Sequence, residues 1–132
     1  MPITKGYKQL MAEANAKINT LTLDEASARH GDPDVVFVDI RDIREVEREG
    51  MIPGALLAPR GMLEFWVDPE SPYYREIFGS GKEFILYCAS AWRSSLATAT
   101  LQDMGLEPVG HLEGGFKAWQ AAGLPVGEKP RK

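Results

Sequence analysis

Two uninterrupted apolar runs constrain the fold of this chain more than any other feature: Val35-Val36-Phe37-Val38, closing on Asp39, and Phe84-Ile85-Leu86-Tyr87, closing on Cys88. A strand with one wet face alternates apolar and polar residues. A short run with no polar interruption and many β-branched or aromatic side chains is instead expected to be buried on both faces, which implies a parallel sheet covered by helices above and below.

The rest of the chain supplies those helices. Leu10, Met11, Ala14 and Ile18 recur at helical spacing between Lys8 and Ile18, an amphipathic helix whose stripe is expected to pack on the domain. Leu21-Thr22-Leu23 reads as a short strand, with Thr22 or Asp24 capping a helix through Ala28. After the breaker Gly31-Asp32-Pro33-Asp34 and the first apolar run, Arg41 to Arg48 reads as a charged helix, and Ile52 to Leu57 as a strand. Gly61 to Trp66 is a further helical piece and Asp68 to Pro72 a turn. Beyond Cys88, a helix from Ser95 to Met104, a strand from Val109 to Leu112 and a helix containing Phe116 and Trp119 complete the pattern. This alternation predicts an α/β fold: a parallel β-sheet flanked by helices on both faces. Residues 1–19 form an N-terminal helical extension, 20–127 the domain, and 128–132 a small basic tail.

Composition excludes several classes. The 132 residues suit one domain that can bury a core without staples. A net charge of −4 with no long basic run argues against nucleic-acid binding. No run approaches the roughly 18 apolar residues of a membrane span, and no signal-peptide core is present. The expectation is a cytoplasmic protein. One cysteine excludes an internal disulfide and every multi-cysteine zinc site, and His30 and His111 lack ligand spacing, so neither metal nor cofactor is expected.

That cysteine is the candidate for chemistry. Cys88 sits between a strand and a helix, where Ala89, Ser90, Ala91, Trp92, Arg93 and Ser94 form the connecting loop. Backbone N–H groups in a tight loop and the positive end of the next helix favour negative charge. A thiol with the usual pKa of about 8.5 would gain reactivity there, and Arg93 would add to the effect. The competing reading is an inert, buried cysteine.

Three separated motifs bear on this choice: Val38-Asp39-Ile40-Arg41 with Glu45, then Gly50-Met51-Ile52-Pro53-Gly54-Ala55; Cys88 through Ser94; and Leu112-Glu113-Gly114-Gly115 with Trp119 and Gly123-Leu124-Pro125. In order and spacing they resemble a single-domain rhodanese, over roughly residues 20 to 127. The resemblance implies a sulfurtransferase in which Cys88 carries a sulfane sulfur, from a small donor such as thiosulfate, as a persulfide. A thiophilic acceptor then removes it: cyanide, a small thiol or a protein thiol. Two departures stand out. The family usually has glycine where this chain has Ala91, whose Cβ disfavours a left-handed backbone, so the loop is expected to be slightly reshaped. Met51 replaces a common histidine, where a packing change is expected. Ala89 and Ser90 bring no charge, which leaves Arg93 as the only loop cation and argues against a strong preference for thiosulfate.

Several roles remain open at this point. Ser94 and Ser95 either donate to the sulfur or cap the following helix. Asp39, Arg41 and Glu45 either orient Arg93 or form a structural ion-pair network. Arg60 either faces the same mouth or lies on the surface, and Phe65, Trp66 and Trp92 either wall the pocket or pack elsewhere. Two rival functions share the fold. One is a cysteine phosphatase, whose family has five residues between cysteine and arginine; here four intervene. The other is a binding or regulatory module without catalysis.

Overall fold

In the computed structural model, which describes residues 2–130, five parallel strands form one sheet. They are β1 (Asn19–Leu21), β2 (Val35–Asp39), β3 (Leu56–Leu57), β4 (Glu83–Tyr87) and β5 (Val109–Leu112), in the order β1-β5-β4-β2-β3. The helices are α1 (Tyr7–Lys17), α2 (Leu23–Arg29), α3 (Ile43–Glu49), α4 (Leu63–Val67), α5 (Trp92–Asp103) and α6 (Gly115–Ala121), with short 3₁₀ turns at Arg60–Met62 and Glu76–Gly79. Arg131 and Lys132, the end of the expected basic tail, lie outside the described residues.

The two apolar runs are the central strands, and their period-2 alternation divides the core. Val38, Phe84, Leu86 and Cys88 face a layer containing Leu63, Ala97 and Leu101 from α4 and α5. Phe37, Ile85 and Tyr87 face the opposite layer, built on Ala26, Phe116 and Trp119 from α2 and α6. Both faces are therefore covered, which is why these strands tolerate no polar interruption.

Several boundaries differ from the sequence expectation for local reasons. The first strand is Asn19–Leu21, because Thr22 forms a capping box with Glu25 and starts a helix at Leu23. A second capping box, between Asp42 and Glu45, delays α3 to Ile43. The third strand shrinks to Leu56–Leu57, since Pro53 and Gly54, the latter at φ +83°, form a turn. Met51 is a buried packing residue whose backbone pairs in both directions with Gly127, at 2.9 and 2.8 Å. Helix α5 begins at Trp92, not Ser95, and neither Ser94 nor Ser95 caps it.

Helix α1 packs along α5. The Tyr7 and Trp92 rings meet at 5.2 Å, Ser95 Oγ donates to Asn15 Oδ1 at 2.6 Å, and Lys17 bridges Asp103 at 2.8 Å. The N-terminal extension thereby covers the helix that follows the cysteine loop.

Candidate active site

Strand β4 delivers Cys88 to the carboxyl end of the sheet, where open α/β sheets place their ligands. The sulfur is buried and points to the α5 side. From there the chain enters α5 through Ala91 at φ +76°, a left-handed backbone carried by an alanine. The expected reshaping is therefore absent at this residue: alanine adopts the conformation that glycine adopts more easily, with a strain of roughly 1–2 kcal/mol.

Helix α6 fixes the polarity of the loop. Phe116 N–H donates to the Cys88 carbonyl at 2.8 Å and Lys117 N–H to the Ala89 carbonyl at 3.1 Å. The close approach requires glycine at position 115, where a Cβ would sit 2.6 Å from the Cys88 carbonyl oxygen. With its carbonyls held from behind, the loop leaves the amides of Ala89, Ser90, Ala91, Trp92 and Arg93 without a protein acceptor among the described residues. Ser94 N–H, one residue on, donates to Cys88 Sγ at 3.4 Å. Free amides beside the positive end of a 12-residue helix make a setting for a sulfur anion.

Arg93 stands at the rim, half-exposed, and gives both terminal nitrogens to Glu45 at 2.7 and 3.0 Å. The Arg93 guanidinium pulls the Glu45 carboxyl down from 4.5 to about 2, against the opposing effect of partial burial. Glu45 is itself held by the Asp42 backbone N–H at 3.0 Å, so α3 sets where Arg93 points. Asp39 and Arg41 do different work. Both are buried, joined at 2.8 and 3.0 Å, with Arg41 also donating to the Gly50 carbonyl at 2.6 Å and lying 4.3 Å from the Phe116 ring centre. This pair ties β2, α3 and α6 together on the face away from Cys88.

Arg60 and Arg93 both line a cavity of about 250 Å³ beside the end of β2, and Arg60 is paired with Glu64 at 3.0 Å. Trp92 is exposed against Tyr7, Phe65 is exposed, and Trp66 packs on the core with Arg75 stacked at 3.9 Å.

Ser94, one of the two serines read as either donors to the sulfur or caps, lies against it, and the sequence reading missed what stands behind Ser94: His111 and Thr20. Ser94 Oγ lies 3.7 Å from Cys88 Sγ and 2.9 Å from His111 Nδ1, while His111 Nε2 lies 3.1 Å from Thr20 Oγ1. Register explains the juxtaposition: His111 pairs with Leu86 on one side and Thr20 on the other. Burial pushes His111 down from 6.5 to about 4, so the ring is neutral near pH 7. The available signal was parity, since His111 shares a strand face with Val109, whose side chain enters the α5 layer.

Comparison with known proteins identifies the fold. A sulfurtransferase from Allochromatium vinosum is 36% identical over 110 residues, 83% of this chain and 94% of that protein. Other relatives are longer; the chain spans 29% of a tRNA uridine(34) hydroxylase from Salmonella. Among solved structures, a protein of unknown function from Rhodopseudomonas palustris, described as a possible tyrosine phosphatase, superposes with a TM-score of 0.93 at 56% identity, covering 96% of this chain and 97% of that one. A thiosulfate sulfurtransferase from Pseudomonas aeruginosa matches at a TM-score of 0.70 and 27% identity, over 85% of this chain and 20% of that one. The family model for the rhodanese-like domain matches residues 22–122, most of the chain, and the chain belongs to that family.

Proposed function

We propose that the chain is a sulfurtransferase whose Cys88 carries the transferred sulfur as a persulfide. The observation that carries this reading is the set of loop amides that, among the described residues, have no protein acceptor, beside a cysteine backed by helix α5. The relationship to a sulfurtransferase at 36% identity supports it. With thiosulfate as donor, the Cys88 thiolate attacks the outer sulfur, the S–S bond of the donor breaks, and sulfite leaves with the electron pair. The persulfide keeps one negative charge, which the loop amides and the end of α5 stabilise. An acceptor such as cyanide or a thiolate then attacks the terminal sulfur and releases the Cys88 thiolate.

Four residues separate Cys88 from Arg93, which favours a sulfur-sized anion over an enclosed phosphate group. Because the chain has no second cysteine, the acceptor must come from outside. The test is thiocyanate formation from thiosulfate and cyanide, varied together. The expected result is parallel double-reciprocal lines, absent in Cys88→Ser. Hydrolysis of an aryl phosphate with no sulfur transfer would instead assign the phosphatase reading, and neither activity would leave the binding-module reading.

A further inference from the structure

Behind the sulfur, a line of hydrogen-bonding groups runs away from the open mouth. Cys88 Sγ, Ser94 Oγ, His111 Nδ1, His111 Nε2 and Thr20 Oγ1 follow one another at 3.7, 2.9 and 3.1 Å, with the imidazole spanning the two nitrogens. Cys88, Ser94 and His111 are buried, whereas Thr20 is exposed. Thr20 and His111 both line a cavity of about 310 Å³ between α1, the loop and the end of β5. The line therefore joins a buried thiol to solvent on the side of the loop away from Arg93.

We propose that Ser94 and His111 are positioning residues forming a proton relay, through which the Cys88 thiol loses its proton to the cavity at Thr20. The proposal rests on Cys88 being the nucleophile. With the thiol protonated, S–H donates to Ser94 Oγ, Ser94 O–H to His111 Nδ1, and His111 Nε2–H to Thr20 Oγ1. On ionisation each proton moves one place along this line, and the Thr20 hydroxyl proton passes to water in the cavity. All the bonds then point the other way: Thr20 O–H donates to Nε2, Nδ1–H to Ser94 Oγ, and Ser94 O–H to the thiolate. One proton has left the protein, the negative charge is on sulfur, and His111 has changed tautomer without becoming an imidazolium. The depressed basicity of the buried ring suits a group that shuttles without holding charge.

The charged and titratable groups around the line are few. Arg93, paired with Glu45, stands on the open side, and Glu113 is the other titratable side chain lining the cavity. Asp39 and Arg41 lie on the opposite face of the sheet. Helix α1 contributes Met11 and Asn15, neither of which titrates.

The direct test uses the wild-type protein labelled with ¹⁵N-histidine, titrated while ultraviolet absorbance follows the Cys88 thiolate. His111 is expected to change from the Nε2–H to the Nδ1–H tautomer with the midpoint of thiolate formation. His30 is the internal control, because its Nε2 faces the Pro53 carbonyl at 2.9 Å and must keep its proton. The switch should survive Glu113→Gln. In Ser94→Ala, His111 should stop responding to the thiol, and alkylation at pH 7 should slow about tenfold as the thiolate loses its donor. His111→Phe should show the same slowing, partly restored in His111→Asn, whose amide can still donate to Ser94. An unchanged His111 tautomer across thiol ionisation in the wild type would overturn the relay. This readout follows the thiol alone, so it is independent of whether sulfur is transferred.

Discussion

Glu45 holds Arg93 through two charge-assisted hydrogen bonds of 2.7 and 3.0 Å, linking the first turn of α3 to the first turn of α5 across the mouth of the site. Because the folded protein lowers the Glu45 pKa from 4.5 to about 2, its contribution to stability is present above 4.5 and is lost as pH falls towards 2. Glu45→Gln should therefore flatten the stability profile in that window, as measured by urea denaturation. Both side chains are partly exposed, so the pair coupling in a double-mutant cycle should be about 1 kcal/mol.

His111 acts in a higher window. Its folded pKa is depressed, from 6.5 to about 4, so neutral His111 favours the fold above 6.5 and that preference is lost as pH falls through 4. The wild type should lose stability between these values. A His111→Phe variant should lack that part of the decline, and an NMR titration should find the imidazole unprotonated at pH 6.

Ala91 in the left-handed region stores strain that glycine would relieve. Glycine gives back about 0.5–1 kcal/mol through its freer unfolded chain, so Ala91→Gly should gain up to about 1 kcal/mol in chemical denaturation. Cys88 alkylation should change little, because the loop path is already the one glycine prefers.

The buried Asp39–Arg41 pair gives the opposite pattern. Asp39→Asn leaves the buried Arg41 guanidinium with only the partly exposed Glu49 carboxylate, at 3.4 Å, as counter-charge and should cost about 3 kcal/mol. At a temperature where the variant is folded by circular dichroism, Cys88 alkylation should match the wild type, because the pair lies on the other face of the sheet.

What the sequence made legible was whatever depends on local pattern. The apolar runs before Asp39 and Cys88 marked the central strands, whereas Gly114-Gly115 stood out only as part of a motif, and the tight approach of Gly115 to the Cys88 carbonyl shows only in the fold. Boundaries set by side-chain capping were less legible, because Thr22 can serve equally in a strand or as a cap. The fate of Ser94 was undecidable from local pattern, since its partner is His111, 17 residues away on a neighbouring strand. Thr20 and His111 are 91 residues apart and meet only through parallel register. Neither could be assigned before the strand order was known.

The central claim is that Cys88 carries sulfur, and the intact mass of the protein tests it most directly. After incubation with thiosulfate and removal of small molecules, the wild-type chain should gain one sulfur, about 32 Da, and lose it on addition of cyanide. Cys88→Ser should show no gain under the same conditions. A wild-type mass that stays unchanged with thiosulfate and with an organic persulfide donor, or an equal gain in Cys88→Ser, would contradict the account.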